Sequence, residues 1–195
     1  MPIENLINHI QARGHIDEKD IINLKNKFKI KNYGKNEIII KKGQVCDKIF
    51  FVHSGLLRTY YDHSKTLEIT RLIACENQFC TNISSFSNLS ENNENIQSLE
   101  KSVVLFINHK DFFELISQSF NLSKIYYNIT SEFNHYYTKR FEFLHTLSNI
   151  DKLIVFQKLE PKIYRRITNK ILASFIGVSP ENCSRLKKEI LFGYK

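Results

Sequence analysis

The stretch from Ile167 to Ile190, ITNKILASFIGVSPENCSRLKKEI, constrains this chain most tightly, because its spacing calls for two short helices crossing at a sharp turn. Ile171, Leu172, Phe175 and Ile176 form one apolar helical face, and Ala173 is small enough for a second helix to cross closely over it. Gly177 stands where the first helix must stop, since glycine enters the left-handed conformation cheaply. Val178 fills the corner, and Ser179-Pro180 supplies an N-cap followed by proline at the first helical position, where a missing N–H costs nothing. In the second helix Cys183, Leu186 and Ile190 lie at i, i+3 and i+7 and face inward. Glu181, Asn182, Arg185, Lys188 and Glu189 then look outward, as in a helix-turn-helix whose second helix presents polar tips to base edges in a DNA major groove.

An ordinary helical hairpin with a solvated charged face has the same spacing. Charge distribution favours the DNA reading. From Ile150 to Lys195, ten Lys or Arg residues stand against four acids, a net +6 out of the chain's formal +8. A positive field concentrated at one end suits phosphate contact.

With 195 residues and 42% hydrophobic composition, the chain has length and apolar content for a buried core and is not of the disordered class. No run approaches the ~18 apolar residues that would span a bilayer. The opening MPIENLINHI has none of the basic-then-apolar character of a signal peptide, so a cytoplasmic protein without membrane association is expected. Cys46, Cys75, Cys80 and Cys183 show no paired metal-ligand spacing and read as reduced thiols, and the seven histidines are scattered. No metal, cofactor or catalytic residue is expected.

The chain begins helical, with Asp17 as an N-cap and Ile16 and Ile21 closing over the turn. From about Phe28 the period shortens. FKIKNY, EIIIK, KIFFVH, LLRTYYD, TLEITRLIA, NIQSLE and SVVLFIN read as short strands separated by turn residues such as Gly34-Lys35-Asn36 and Ser54-Gly55. So many short strands argue for an antiparallel sandwich or barrel. From Asn108 to about Leu147 the pattern is helical again, with an apolar stripe through Leu122, Tyr126, Ile129, Phe133, Tyr137 and Leu144. The stripe either packs on its own barrel or supplies the seam of a two-chain coiled coil, and we read it as the seam.

Barrel, long helix, helix-turn-helix: in this order the chain resembles the Crp/Fnr family of bacterial transcription regulators over nearly its whole length. The barrel carries Gly34, Gly43, Asp47, KIFFVHSG and Leu57-Arg58, and LASFIGVSPENCSRLKK is the more specific match. The resemblance implies an α+β fold: an N-terminal antiparallel β-barrel of jelly-roll type, a long dimerisation helix, and a C-terminal helix-turn-helix with at most a minimal wing. We draw the sensor barrel with its N-terminal helices at 1–110, the dimerisation helix at 111–147 and the DNA-binding domain at 148–195. It further implies a homodimer that responds to a small molecule or redox state and acts on RNA polymerase.

The family's phosphate cassette does not carry over residue by residue. Where it has a glycine–glutamate step after phenylalanine, this chain reads Phe79-Cys80-Thr81-Asn82, with Cys80 at the glycine and Thr81 at the glutamate. No arginine occurs between Arg71 and Arg140, so a buried cyclic phosphate would lack its bidentate counter-charge. No cysteine precedes Cys46 to hold an iron–sulfur cluster, and no histidine is marked as a haem ligand. Phe79, Thr81, Asn82, Ser84, Tyr127 and Thr130 are candidate effector-pocket residues, with plain core and loop as the alternative reading.

On a near-palindromic duplex, Arg185 is the expected guanine reader, Glu181 is placed to accept from a cytosine amino group, and Asn182 to contact adenine. Thr168, Ser179, Lys187, Lys188, Arg165, Arg166 and Lys170 are the expected phosphate contacts. Two other classes stay open: a protein-binding module whose basic end meets an acidic partner, and a metal-dependent cupin-like enzyme using His53 and His63.

Overall fold

The computed structural model describes residues 1–64 and 67–193. Thr66, read as the first residue of a strand, and Lys195, counted in the basic C-terminal end, lie outside the described residues. The chain divides into two compact units, one of residues 1–59 with 73–134 and one of residues 60–72 with 135–195.

The first unit opens with α1 (Pro2–Gln11) and α2 (Glu18–Lys27). Asp17 caps α2 by accepting a hydrogen bond from the Asp20 N–H, and Ile16 and Ile21 both join the core beneath it. The strands are β1 (Lys29–Tyr33), β2 (Ile38–Ile40), β3 (Lys48–Ser54), β4 (Leu57–Asp62), β5 (Glu68–Ala74), β6 (Phe79–Cys80), β7 (Asn95–Ser98) and β8 (Ser102–Asn108). They form two four-stranded sheets in the orders β1-β8-β3-β6 and β2-β7-β4-β5, an open jelly roll rather than a closed barrel. In the first sheet β8 pairs antiparallel with both β1 and β3. The strand segments read from the sequence each contain an observed strand; the two-residue β6 and the short helix α3 (Ile83–Asn88) that follows were not read.

Strand alternation gives the first sheet two apolar faces. Phe51, Leu105 and Ile107 share one core with Leu6, Ile7 and Ile10 of α1, and Ile49 packs against it. Phe50, Val52 and Val104 alternate with these and are fully buried on the opposite face. Gly55, at the turn between β3 and β4, has φ +103°, and a Cβ there would lie 2.1 Å from the Ser102 Oγ. Only glycine meets both demands.

The helical run predicted from 108 to 147 is broken. α4 (His109–Gln118), capped by Asn108, stops at Ser119, whose backbone is extended (φ −134°, ψ 116°). The Ser119 hydroxyl accepts from the Leu122 N–H and starts α5 (Phe120–Thr146). Serine's competition for backbone hydrogen bonds explains the interruption, which an apolar stripe does not reveal.

In the second unit α6 (Asn149–Leu159), α7 (Pro161–Tyr164), α8 (Asn169–Ile176) and α9 (Pro180–Phe192) pack around Leu153, Phe156, Ile163, Leu172, Phe175, Ile176, Cys183 and Leu186, all buried.

Candidate nucleic-acid interface

The turn between α8 and α9 is fixed by local chemistry. Thr168 caps α8 through its hydroxyl, which accepts from the Ile171 N–H. Gly177 ends α8 at φ 77°, ψ 38°, and the N–H groups of Gly177 and Val178 both donate to the Ala173 carbonyl. Ser179 caps α9 by accepting from the Asn182 N–H, and Pro180 occupies its first turn. Asn169 of α8 donates from Nδ2 to the Pro180 carbonyl and to the Ser184 hydroxyl, 2.9 Å each, so the two helices are braced by an amide as well as by apolar contact.

This packing buries Cys183 and Leu186 and leaves Ile190 partly covered. Burial raises the Cys183 thiol above its ordinary pKa, with the Lys187 charge opposing, which keeps it a neutral packing group. Glu181 and Arg185 are exposed and Asn182 is half-buried. Arg185 is held in place: Nη1 donates to Glu189 Oε1 at 2.7 Å and Nη2 to Asn182 Oδ1 at 2.9 Å. The three residues form one row, and Glu189 is its member not assigned a role from the sequence. The i, i+4 spacing of Arg185 and Glu189 was the signal available. The Glu181 carboxyl is held below the usual carboxylate range by its own backbone N–H and the Ser179 hydroxyl, so it stays an acceptor.

The expected phosphate-contacting residues are placed unequally. Lys188 and Arg165 are exposed, and Thr168 and Ser179 stand at the starts of α8 and α9, where unpaired N–H groups attract anions. Arg166 is half-buried. Lys187 lies over the Tyr164 ring at 5.2 Å, and Lys170 pairs with Glu68 at 3.4 Å. Lys152, one of the ten cations at the basic end, is buried beside Asn149 and is lost to any partner.

One cation given no role from the sequence packs against α8 within the second unit. Arg140 of α5 donates through Nη2 to the Phe175 carbonyl, and its guanidinium lies 3.7 Å from the Phe175 ring centre. Burial lowers its pKa to about 10, leaving it charged at neutral pH. Ser174 of α8 also bonds Thr70, accepting from its N–H at 2.8 Å. Residues 104 apart in sequence give no local sign of this contact.

The effector-pocket candidates separate. Phe79, Thr81 and Thr130 line one cavity in the first unit. Asn82 is buried elsewhere: it caps α3 and donates to Asn92 Oδ1 and Glu94 Oε2 at 2.8 and 2.9 Å. Ser84 and Tyr127 are exposed. Thr81 donates to the Lys48 carbonyl, and Cys80 is fully buried. The cassette stretch is thus engaged in the protein's own hydrogen bonds, beside a completely buried carboxylate, Glu94. Among the described residues no three His, Cys, Asp or Glu form a metal-holding group, and His53 bonds Asn5 through Nδ1. No described helix is long and apolar enough to cross a membrane.

Residues 30–119 match the family model of the cyclic nucleotide-binding domain. Curated proteins give no match to the chain. Among solved structures, a putative transcriptional regulator of the Crp/Fnr family from Eubacterium rectale aligns with TM-score 0.73 at 17% identity, covering 91% of this chain and 85% of that one. The c-di-GMP-responsive global regulator CLP of Xanthomonas campestris aligns at 0.72 and 16%, over 90% and 92% of the two chains. FixK2 from Bradyrhizobium japonicum aligns at 0.72 and 11%, over 85% of each. Residues 30–119 are therefore similar to a cyclic nucleotide-binding domain, and the chain has the fold of the Crp/Fnr transcription regulators.

Proposed function

We propose that the protein is a homodimeric, sequence-specific DNA-binding transcription regulator whose reading element is α9. The observation that carries this is the row Asn182–Arg185–Glu189, with Arg185 exposed between two half-buried neighbours, prearranged on a helix braced across α8. An arginine fork already held by neighbours loses less side-chain freedom on meeting a guanine. Arg185 reads O6 and N7 of guanine after giving up Glu189. Glu181 accepts from cytosine, and Asn182 serves adenine or a bridging water. Arg165, Arg166, Lys170, Lys187, Lys188 and the helix starts at Thr168 and Ser179 set register on the phosphates.

Two copies align two α9 helices about 34 Å apart on a near-palindromic site. Of the six residues read as the dimer seam, Leu122, Tyr126, Ile129 and Phe133 belong to the core or cavity wall of their own unit. Tyr137 accepts a hydrogen bond from Arg71, and Leu144 lies against Gly177. The seam is better drawn through the outward residues Phe120, Tyr127, Asn134 and Phe141, spaced by seven along α5, the first, second and fourth being 83%, 73% and 64% exposed. A heptad row with one asparagine suits a two-stranded coiled coil of fixed register.

The sensor departs from cyclic AMP binding of the usual kind, because the buried Glu94 and the internally bonded Thr81 and Asn82 offer a cyclic phosphate no counter-charge. The bound dimer acts on transcription through RNA polymerase. On a site selected from random duplex, Arg185→Ala is expected to weaken binding by about 1–3 kcal/mol and to relax preference at one base pair. Fluorescence anisotropy against a panel of single-base variants measures both, and unchanged affinity and selectivity would remove Arg185 from the reading role.

A further inference from the structure

The first unit holds a cavity of about 100 Å³ on the helix-covered face of the first sheet. Its floor is Ile49, Phe79 and Ile107, and its walls are Leu115, Leu122 and Ile125. Ile49 and Ile107 point away from the roll interior, since Phe50 and Val104 occupy that side. The cavity therefore lies on the opposite side of the first sheet from the face that carries Phe50 and Val104. No Lys, Arg, His, Asp or Glu lines it.

We propose that this cavity binds a small uncharged apolar molecule, of about five or six carbons, carrying at most one hydroxyl group. Three observations set that class. First, an engineered cavity of roughly 150 Å³ lined by Leu, Ile and Phe takes up benzene, and this one is lined mainly by the same three side chains at a comparable size. Second, a charged ligand would lose its hydration with no counter-charge in the walls. Third, the polar groups at the wall are hydroxyls. The Thr130 hydroxyl donates to the Tyr126 carbonyl, so what it offers a ligand is acceptor lone pairs, matched by one ligand O–H. The mouth lies at Ile83 and Ser87 of α3, the exposed residues of the lining.

The proposal concerns the free protein and does not rest on DNA binding, so its failure would leave the regulator reading intact. The test uses 1-hexanol and benzene as probes and hexanoate as the charged comparison, followed by isoleucine-methyl NMR and thermal denaturation of the full chain. Expected are saturable shifts at Ile49, Ile107 and Ile125, a midpoint raised by a few degrees at ten times Kd, and binding of hexanol at least tenfold tighter than hexanoate. Thr130→Phe and Ile129→Phe, both in the wall, should each retain native circular dichroism and lose at least tenfold in hexanol affinity. Two variants are used so that one misfolded protein does not decide the matter. Non-saturable shifts, equal binding of hexanoate, or full binding by a folded filled variant would each overturn the proposal.

Discussion

Gly55 and His9 show how single residues set the sensor unit's tolerances. At Gly55 the positive φ and the approach of Ser102 act together, so Gly55→Ala is expected to cost about 2–4 kcal/mol in urea unfolding. A loss below ~1 kcal/mol would mean that the turn relaxes freely. His9 packs edge-on against Phe51 and Phe79, and burial first, then the Arg13 charge, lowers its pKa to about 4. The folded value lies below the unfolded one of about 6.5, so the unfolded chain takes up a proton first as pH falls. His9 thus contributes stability that is intact above pH 6.5 and is lost progressively down to about pH 4. After discounting for partial exposure, the loss is about 1–2 kcal/mol. Urea melts at pH 7 and pH 4.5 should show His9→Phe less pH-sensitive than the parent by that amount; identical slopes would contradict the assignment. At this scale the sequence was readable where one residue has one local job. Gly177, Ser179 and Asp17 all sit where the chain's spacing placed them. Arg140 and Glu94 were not readable, because their environments are made by residues far along the chain.

Among elements, α5 carries two apolar rows. The inner one, through Leu122 and Ile125, closes the core of its unit; the outer one runs through Phe120, Tyr127 and Phe141. The sequence reading followed the inner row and took it as the dimer seam, leaving Phe120 and Tyr127 outside it. Distinguishing them required knowing where the first sheet lies, which is a non-local fact. The rows separate by experiment. Leu122→Ala should lower stability by about 2–5 kcal/mol, as expected for truncating a leucine that is 6% exposed. Tyr127→Glu combined with Phe141→Glu should leave the fold intact and shift sedimentation from dimer to monomer. A double variant that stays dimeric would return the seam to the inner row or to another surface. The break at Ser119 follows the same logic, since an N-cap serine inside an apolar period is visible only once its hydroxyl is seen to accept from Leu122.

For the whole molecule, the order of strands and helices was legible because period and punctuation are local properties: alternation in KIFFVH, turn residues at Ser54-Gly55, a glycine stop at Gly177. The site was legible in part. Composition placed the positive charge in the last quarter of the chain, and the structure then withdrew Lys152 from it by burial and engaged Lys170 with Glu68. Charge counting treats every lysine as exposed, and pairing across 102 residues is invisible to it. What remains is a helix with an arranged row of polar side chains, together with the exposed cations Arg165 and Lys188. The most direct measurement is selection of bound duplexes from a random pool by the full chain, with affinity followed against salt. The proposed function requires enriched sequences with two inverted half-sites spaced about 10 base pairs centre to centre, a guanine among the preferred bases, and affinity falling steeply as salt rises. A folded protein that binds no duplex at low ionic strength, or that returns a flat sequence profile, would contradict it.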